Sequence, residues 1–128
     1  MIKSSNTENT RSIFTNGDFE AIADAPSKIN KGEECFSPAE LLEASLASCV
    51  AITVRLFAQN HDIKLQKVTV EVKIDDSNHD DIKAYKKIVL EGDLEEKDRI
   101  KLLNAAKTCK IGKILSKGIS FVEENELS

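Results

Sequence analysis

Apolar residues alternate with polar ones toward both ends of this chain and crowd together near its middle. Over residues 12–23, Ile13, Phe14, Phe19 and Ile22 flank Asn16-Gly17. That pair tolerates the positive φ angles of a tight two-residue turn, so the segment predicts a hairpin. Residues 24–36, with Pro26, Gly32 and scattered charge, read as a loop. Ser37 then opens a helix: it is a good N-cap, Pro38 suits the first helical position, and Glu40 completes a capping box. Over 41–57 apolar residues stand on nearly every face, which predicts a helix buried on most sides. Ala44, Ser45, Ala47, Ser48, Cys49 and Ala51 are small enough to let another backbone approach closely.

Beyond the helix the period returns to two. Leu65, Val68, Val70, Val72 and Ile74 mark a strand, 75–81 a polar turn, and Ile82, Ala84, Ile88 and Leu90 one side of a second strand. Gly92-Asp93 ends that strand, and Asp93 with Glu96 predicts a second capping box. A helix carrying Ile100, Leu103, Ala106 and Thr108 runs to about Cys109. A helical turn over 111–117 closes at Gly118, and 119–122 reads as a last strand. The order β-β-α-β-β-α-α-β predicts an α+β fold, antiparallel sheets packed on a long central helix. At 128 residues the chain fits one domain, 1–128.

Composition narrows the function. Eighteen basic residues against 22 acidic give a net charge of −4, which offers no basic face for a nucleic acid. The first ten residues have no apolar core, so no signal peptide is expected. The run 46–54 stops at Arg55, too short for a membrane span. Three cysteines without a secretory signal fit a cytoplasmic protein with free or catalytic thiols. No C-x-x-C occurs and His61 and His79 are unsuitably spaced, so no metal is expected.

Cys49 lies deep in the long helix and Cys109 in the setting A-x-x-C-x-I-x-x-x-L before a glycine and a final apolar stretch. A cysteine in an apolar helix is commonly a small buried hydrophobe. With the P-x-E-L-L opening over Pro38 to Leu42, however, the arrangement resembles the OsmC/Ohr family of cysteine-dependent hydroperoxide reductases. The resemblance runs over about residues 11–122 and implies a thiol peroxidase. Cys49 would be the nucleophile, and Cys109 the resolving thiol that condenses with its sulfenic acid. It further implies a hydroperoxide substrate, a lipoyl-type or other small dithiol reductant, no cofactor, and an intertwined homodimer whose two chains build each site.

A peroxidatic thiol must be a thiolate, so its pKa has to fall below about 8.5. Cys49 stands about 18 Å from its own helix start, out of reach of that dipole, so a side-chain cation is expected. Arg55 points about 120° away around the helix, and nothing in the spacing brings Arg99 near Cys49. Arg11 is the remaining arginine, and the resemblance implies an N-terminal arginine that polarises the peroxide. A solvated strand charge, or a lysine in that role, stays open. The hydroperoxide branch places its acidic residue directly after the proline, where this chain has Ala39. The P-x-E-L-L branch has it at Glu40, which the capping box already occupies. Cys35 reads as incidental, and Phe14, Phe19 and Phe36 as core residues rather than the lining of a peroxide pocket. The alternative function is a non-catalytic dimeric binding or stress protein of the same fold.

Overall fold

The computed structural model describes residues 1–26 and 35–126. The part of the expected loop over 27–34, including Gly32, lies outside the described residues. The elements are β1 (Lys3–Ser5), β2 (Ser12–Thr15), β3 (Glu20–Ala23), α1 (Pro38–Asn60), β4 (Leu65–Asp75), β5 (Lys83–Gly92), α2 (Glu96–Ala106) and α3 (Lys110–Lys117). They fall into two compact units, Met1–Ala44 and Ser45–Ser128.

In the first unit β1, β2 and β3 form an antiparallel sheet in that order. The hairpin is present, but Thr15 pairs with Glu20, so its loop has four residues rather than two. The Asn16 side chain supplies the turn: its Oδ1 accepts from the amides of Asp18 and Phe19, both at 2.9 Å. Phe19 and Phe36 are 76% and 59% exposed, not core residues, and Phe14 is half-buried. The helix start is as the sequence predicts. The Ser37 amide donates to Glu40 Oε1 at 2.9 Å, and the Glu40 amide donates to Ser37 Oγ at 3.3 Å.

The second unit holds the main core. Leu46, Val50, Val54 and Ala58 recur every four residues and form one buried stripe on α1. They cluster with Leu65, Leu102, Ala106 and Cys109, and Val68, Val70, Val72, Ile88 and Leu90 pack against them. Antiparallel β4 and β5 therefore lay one face on the helix layer. The remaining faces of α1 do not follow expectation: Ile52 and Leu56 are more than half exposed. At 23 residues, α1 is long and apolar enough, by length and composition, to cross a bilayer. The nine-residue run read from the sequence understated it.

Backbone carbonyls absorb two arginines. Arg55 donates to Leu65 O at 2.6 Å and Gln66 O at 3.0 Å, tying α1 to the bulged start of β4. Arg99 donates to Leu90 O at 3.1 Å. Gly92 faces the bulge with φ 147°, where a Cβ would lie 2.5 Å from Lys64 O.

Three expectations are corrected here. α2 starts at Glu96 behind Glu95, which makes no side-chain cap bond, so Asp93 and Glu96 form no capping box. The buried side of α2 is Leu102, Ala105 and Ala106, while Ile100 and Leu103 are exposed. Residues 119–122 form no strand, with Phe121 and Val122 almost fully exposed. The alternation there is genuine, but a strand needs a ladder partner, and this segment pairs with none among the described residues. The observed order is thus β-β-β-α-β-β-α-α, with the strands in two antiparallel sheets.

Candidate active site

Cys109 is not the tail of a helix but the head of one. α2 ends at Ala106, and the Thr108 hydroxyl and amide both close on Ala105 O, at 2.7 and 3.0 Å. Cys109 then turns extended (φ −61°, ψ 134°) and becomes the N-cap of α3. Its Sγ accepts from the Gly112 amide at 3.1 Å, as a serine or aspartate oxygen would at the same position. The side chain is 2% exposed and belongs to the core cluster.

Cys49, half-buried on α1, brings its sulfur to the same helix start. The Ile111 amide donates to it and is the main reason its pKa lies below the ordinary thiol value. Burial opposes this, while hydrogen bonds from Cys109, the Lys110 amide and Thr53 add to it. The Thr53 hydroxyl also donates to Cys49 O at 2.7 Å. Helix dipoles concentrate positive potential at their first-turn amides, and thiols at such positions ionise more readily. The lowering of the Cys49 pKa thus has a source besides the side-chain cation that the sequence led one to expect. α1 cannot supply the field through its own dipole, but α3, arriving from far along the sequence, supplies it by its amides.

The two thiols are unequal. Burial pushes Cys109 above the ordinary thiol value. The Gly112 amide draws it back, the neighbouring Cys49 sulfur raises it again, and the Lys86 ammonium lowers it. Cys49 is therefore the more acidic of the two, and Cys109 is the thiol that donates toward it. All three cysteines are free, and Cys35 is half-buried in the first unit.

Arg11 and Glu40 also belong to the first unit. Arg11 directly precedes β2, and its Nε lies 3.7 Å from Asp24 Oδ2. Asp24 is buried, and its carboxyl is held low first by Thr10, whose Oγ1 donates at 2.5 Å, and then by the Ala25 amide and Arg11. Arg11 and Asp24 line a cavity of about 360 Å³ with Ser5, Thr7 and Asn9. The Glu40 carboxylate is exposed and held low by the Ser37 amide and hydroxyl of the capping box.

Residues 31–124 match the family model of OsmC-like proteins. The chain belongs to the OsmC-like family. No curated protein matches the sequence. Among solved structures it is similar to a Psychrobacter arcticus protein named for osmotic stress induction and detoxification response. The identity is 28%, over 88% of this chain and 85% of that one, with a TM-score of 0.69. An OsmC-like protein from Mycoplasma pneumoniae is 19% identical over 91% of this chain and 86% of that one, with a TM-score of 0.77. The organic hydroperoxide resistance protein OhrB of Bacillus subtilis is 19% identical over 88% and 87%, with a TM-score of 0.61. At 19% identity these last two speak to the OsmC-like fold alone: mixed α and β, with antiparallel sheets and a long helix.

In this OsmC-like chain the sequence reading passed over two contributors to the cysteine pair. The amides of Lys110, Ile111 and Gly112 carry no side-chain signature, and only the cap position of Cys109 four residues before Lys113 hinted at them. Lys86 did leave a signal. It is the charged residue in a row whose other members, Ala84, Ile88 and Leu90, were read as one side of a strand.

Proposed function

We propose that this OsmC-like protein is a thiol-dependent peroxidase that reduces organic hydroperoxides. The observation that carries the reading is the unequal thiol pair at the start of α3, where amides of that helix lower the Cys49 pKa and burial raises that of Cys109, the cap residue. The Cys49 thiolate attacks the outer oxygen of ROOH. A sulfur–oxygen bond forms, the O–O bond breaks, and the alkoxide leaves and takes a proton to become ROH. Cys49 is then a sulfenic acid. Cys109 sulfur displaces its hydroxyl, giving the Cys49–Cys109 disulfide and water. A small dithiol, lipoyl-type or similar, returns both cysteines to thiols and leaves as its own cyclic disulfide. Sulfur and the external dithiol carry all the electrons, so no cofactor takes part.

Arg11 would hold and polarise the peroxide, with Asp24 as the acidic group that orients its guanidinium. Glu40 would act by fixing the start of the helix that bears Cys49. The engagement of Arg11 with Asp24 and of Glu40 with Ser37 favours one second reading, a non-catalytic dimeric binding or stress protein of the same fold.

Consumption of cumene hydroperoxide with dithiothreitol as reductant separates the two readings. Native protein should turn over, and folded Cys49→Ser protein, lacking the thiolate, should fall to background. Full activity in that variant would falsify the assignment of the nucleophile.

A further inference from the structure

The start of α3 is fastened by sulfur. The helix has eight residues, Lys110–Lys117, none of them buried, and it meets the core cluster through half-buried Ile111 and Leu115. So short a helix does not stand on its own propensity. Its first turn carries Lys110 and no acidic residue, the wrong charge for the positive end of a helix dipole. Its N-cap is Cys109, whose Sγ accepts from the Gly112 amide at 3.1 Å. The turn is pressed onto that sulfur: a Cβ at Gly112 would lie 3.2 Å from it and 3.7 Å from Leu46 Cδ1. Leu46 stands three residues before Cys49 and so on the same face of α1. The first turn of α3 therefore lies over the strip of α1 that bears the second sulfur.

We propose that α3 is a redox-governed cover over the cysteine pair, its first turn clasped by the Cys109 sulfur in the reduced protein and released when Cys109 bonds to Cys49. The inference rests on the peroxidase reading for the bond between these two cysteines. A hydroperoxide oxidises the pair, so that two thiols and ROOH become the disulfide, ROH and water. As a thiol, Cys109 can turn its lone pairs to the Gly112 amide. In the disulfide both sulfurs are uncharged, weak acceptors, held about 2.05 Å apart with a dihedral near 90°. The cap at Gly112 and the charge that the Ile111 amide favours on Cys49 are lost together. Release bares a bond whose Cys109 end is otherwise 2% exposed. The attacking dithiol thiolate then breaks the S–S bond, leaves as its own cyclic disulfide, and restores both thiols and the cap. The coupling is reciprocal: a cap that favours the thiols over the disulfide makes the disulfide easier to reduce.

The test is amide hydrogen exchange, followed by NMR on isotope-labelled full-length Cys35→Ser protein. Rates are measured under excess dithiothreitol and again after one equivalent of cumene hydroperoxide has closed the disulfide. Exchange at Gly112 should quicken about fivefold or more on oxidation, as the loss of a helix cap implies. An equal or slower rate in the disulfide form overturns the inference. So does a matching rise at Leu102 of α2, which would mean a general loosening of the fold. If peroxide leaves the thiols free, the peroxidase reading fails by itself. Diamide, which takes the two thiol hydrogens onto its N=N bond, then closes the disulfide for the same comparison. Failure of both oxidants to join Cys49 to Cys109 overturns the inference as well. The clasp is also tested without an oxidant. In reduced protein, Cys109→Ala should quicken Gly112 exchange about fivefold relative to Cys109→Ser, whose hydroxyl can cap. Equal rates in those two variants overturn the clasp.

Discussion

The Gly112 amide donates to Cys109 Sγ at 3.1 Å, and a Cβ added at Gly112 would lie 3.2 Å from that same sulfur. The hydrogen bond and the missing side chain are two sides of one constraint. The first turn of α3 can press its amides onto the sulfur pair only where no side chain stands between, and Leu46 Cδ1, at 3.7 Å from the same point, closes the other side.

Gly112→Ala should therefore hurt the chemistry more than the fold. Alanine favours a helix over glycine by about 1 kcal/mol, which offsets much of the crowding. The sulfur must still give by a few tenths of an ångström, loosening the cap and the approach to Cys49. Unchanged circular dichroism with disulfide formation slowed several-fold after one equivalent of peroxide is the expected pair of results. A native rate would show that the close approach is immaterial.

Cys109→Ser should still reduce one peroxide and then stop. With no second thiol, Cys49 remains a sulfenic acid and proceeds to sulfinic and sulfonic acids under excess peroxide. Intact mass should show additions of oxygen in place of the loss of two hydrogens seen in native protein. Peptide mapping that found a Cys35–Cys49 bridge in the native protein would move the resolving role to Cys35.

The reactivity of Cys49 should extend below the range of an ordinary thiol. Because its pKa is lowered, chiefly by the Ile111 amide, the thiolate persists to lower pH than that of an ordinary thiol and is lost as pH falls through the lowered value. The same sign applies to stability: the contribution is present above the unfolded thiol pKa of about 8.5 and declines as pH falls through the folded one. Alkylation rates of Cys35→Ser Cys109→Ser protein against pH measure this directly. A midpoint at or above that of free cysteine would refute the role of α3.

Gly92→Ala tests the scaffold rather than the site. At φ 147° an L side chain is strained, and its Cβ would meet Lys64 O at 2.5 Å and the Gln66 amide at 2.9 Å, all backbone. Neither neighbour can rotate away, so a loss of about 2 kcal/mol or more is expected in urea unfolding. A midpoint within error of the native one would mean the β4 bulge adapts freely.

Assembly is the last expectation. Ile52 and Leu56 on α1, Ile100 and Leu103 on α2, and Phe121 and Val122 leave a single chain with much apolar surface in water. A two-fold dimer burying well over ~2,000 Å² in total would cover it. Light scattering should give twice the 14.1 kDa of the chain, and Ile52→Glu should lower the dimer fraction and peroxide turnover together. A fully active species of chain mass would rule the dimer out.

The sequence by itself determined the local elements, because their causes are local. Ser37, Pro38 and Glu40 fix a helix start through contacts three residues apart, and alternation over 65–74 and 82–91 needs only the pleat. It also singled out Cys49 and Cys109, since their settings on either side of the hairpin resemble those of a known family. Tertiary structure decided what acts on those thiols. The field on Cys49 comes from amides at 110 and 111, which no side chain advertises, and Cys109 caps the next helix instead of ending the previous one. Residues 119–122 show the converse: alternation alone cannot make a strand, because a strand is completed by a partner's backbone, which lies elsewhere in the fold or outside the chain.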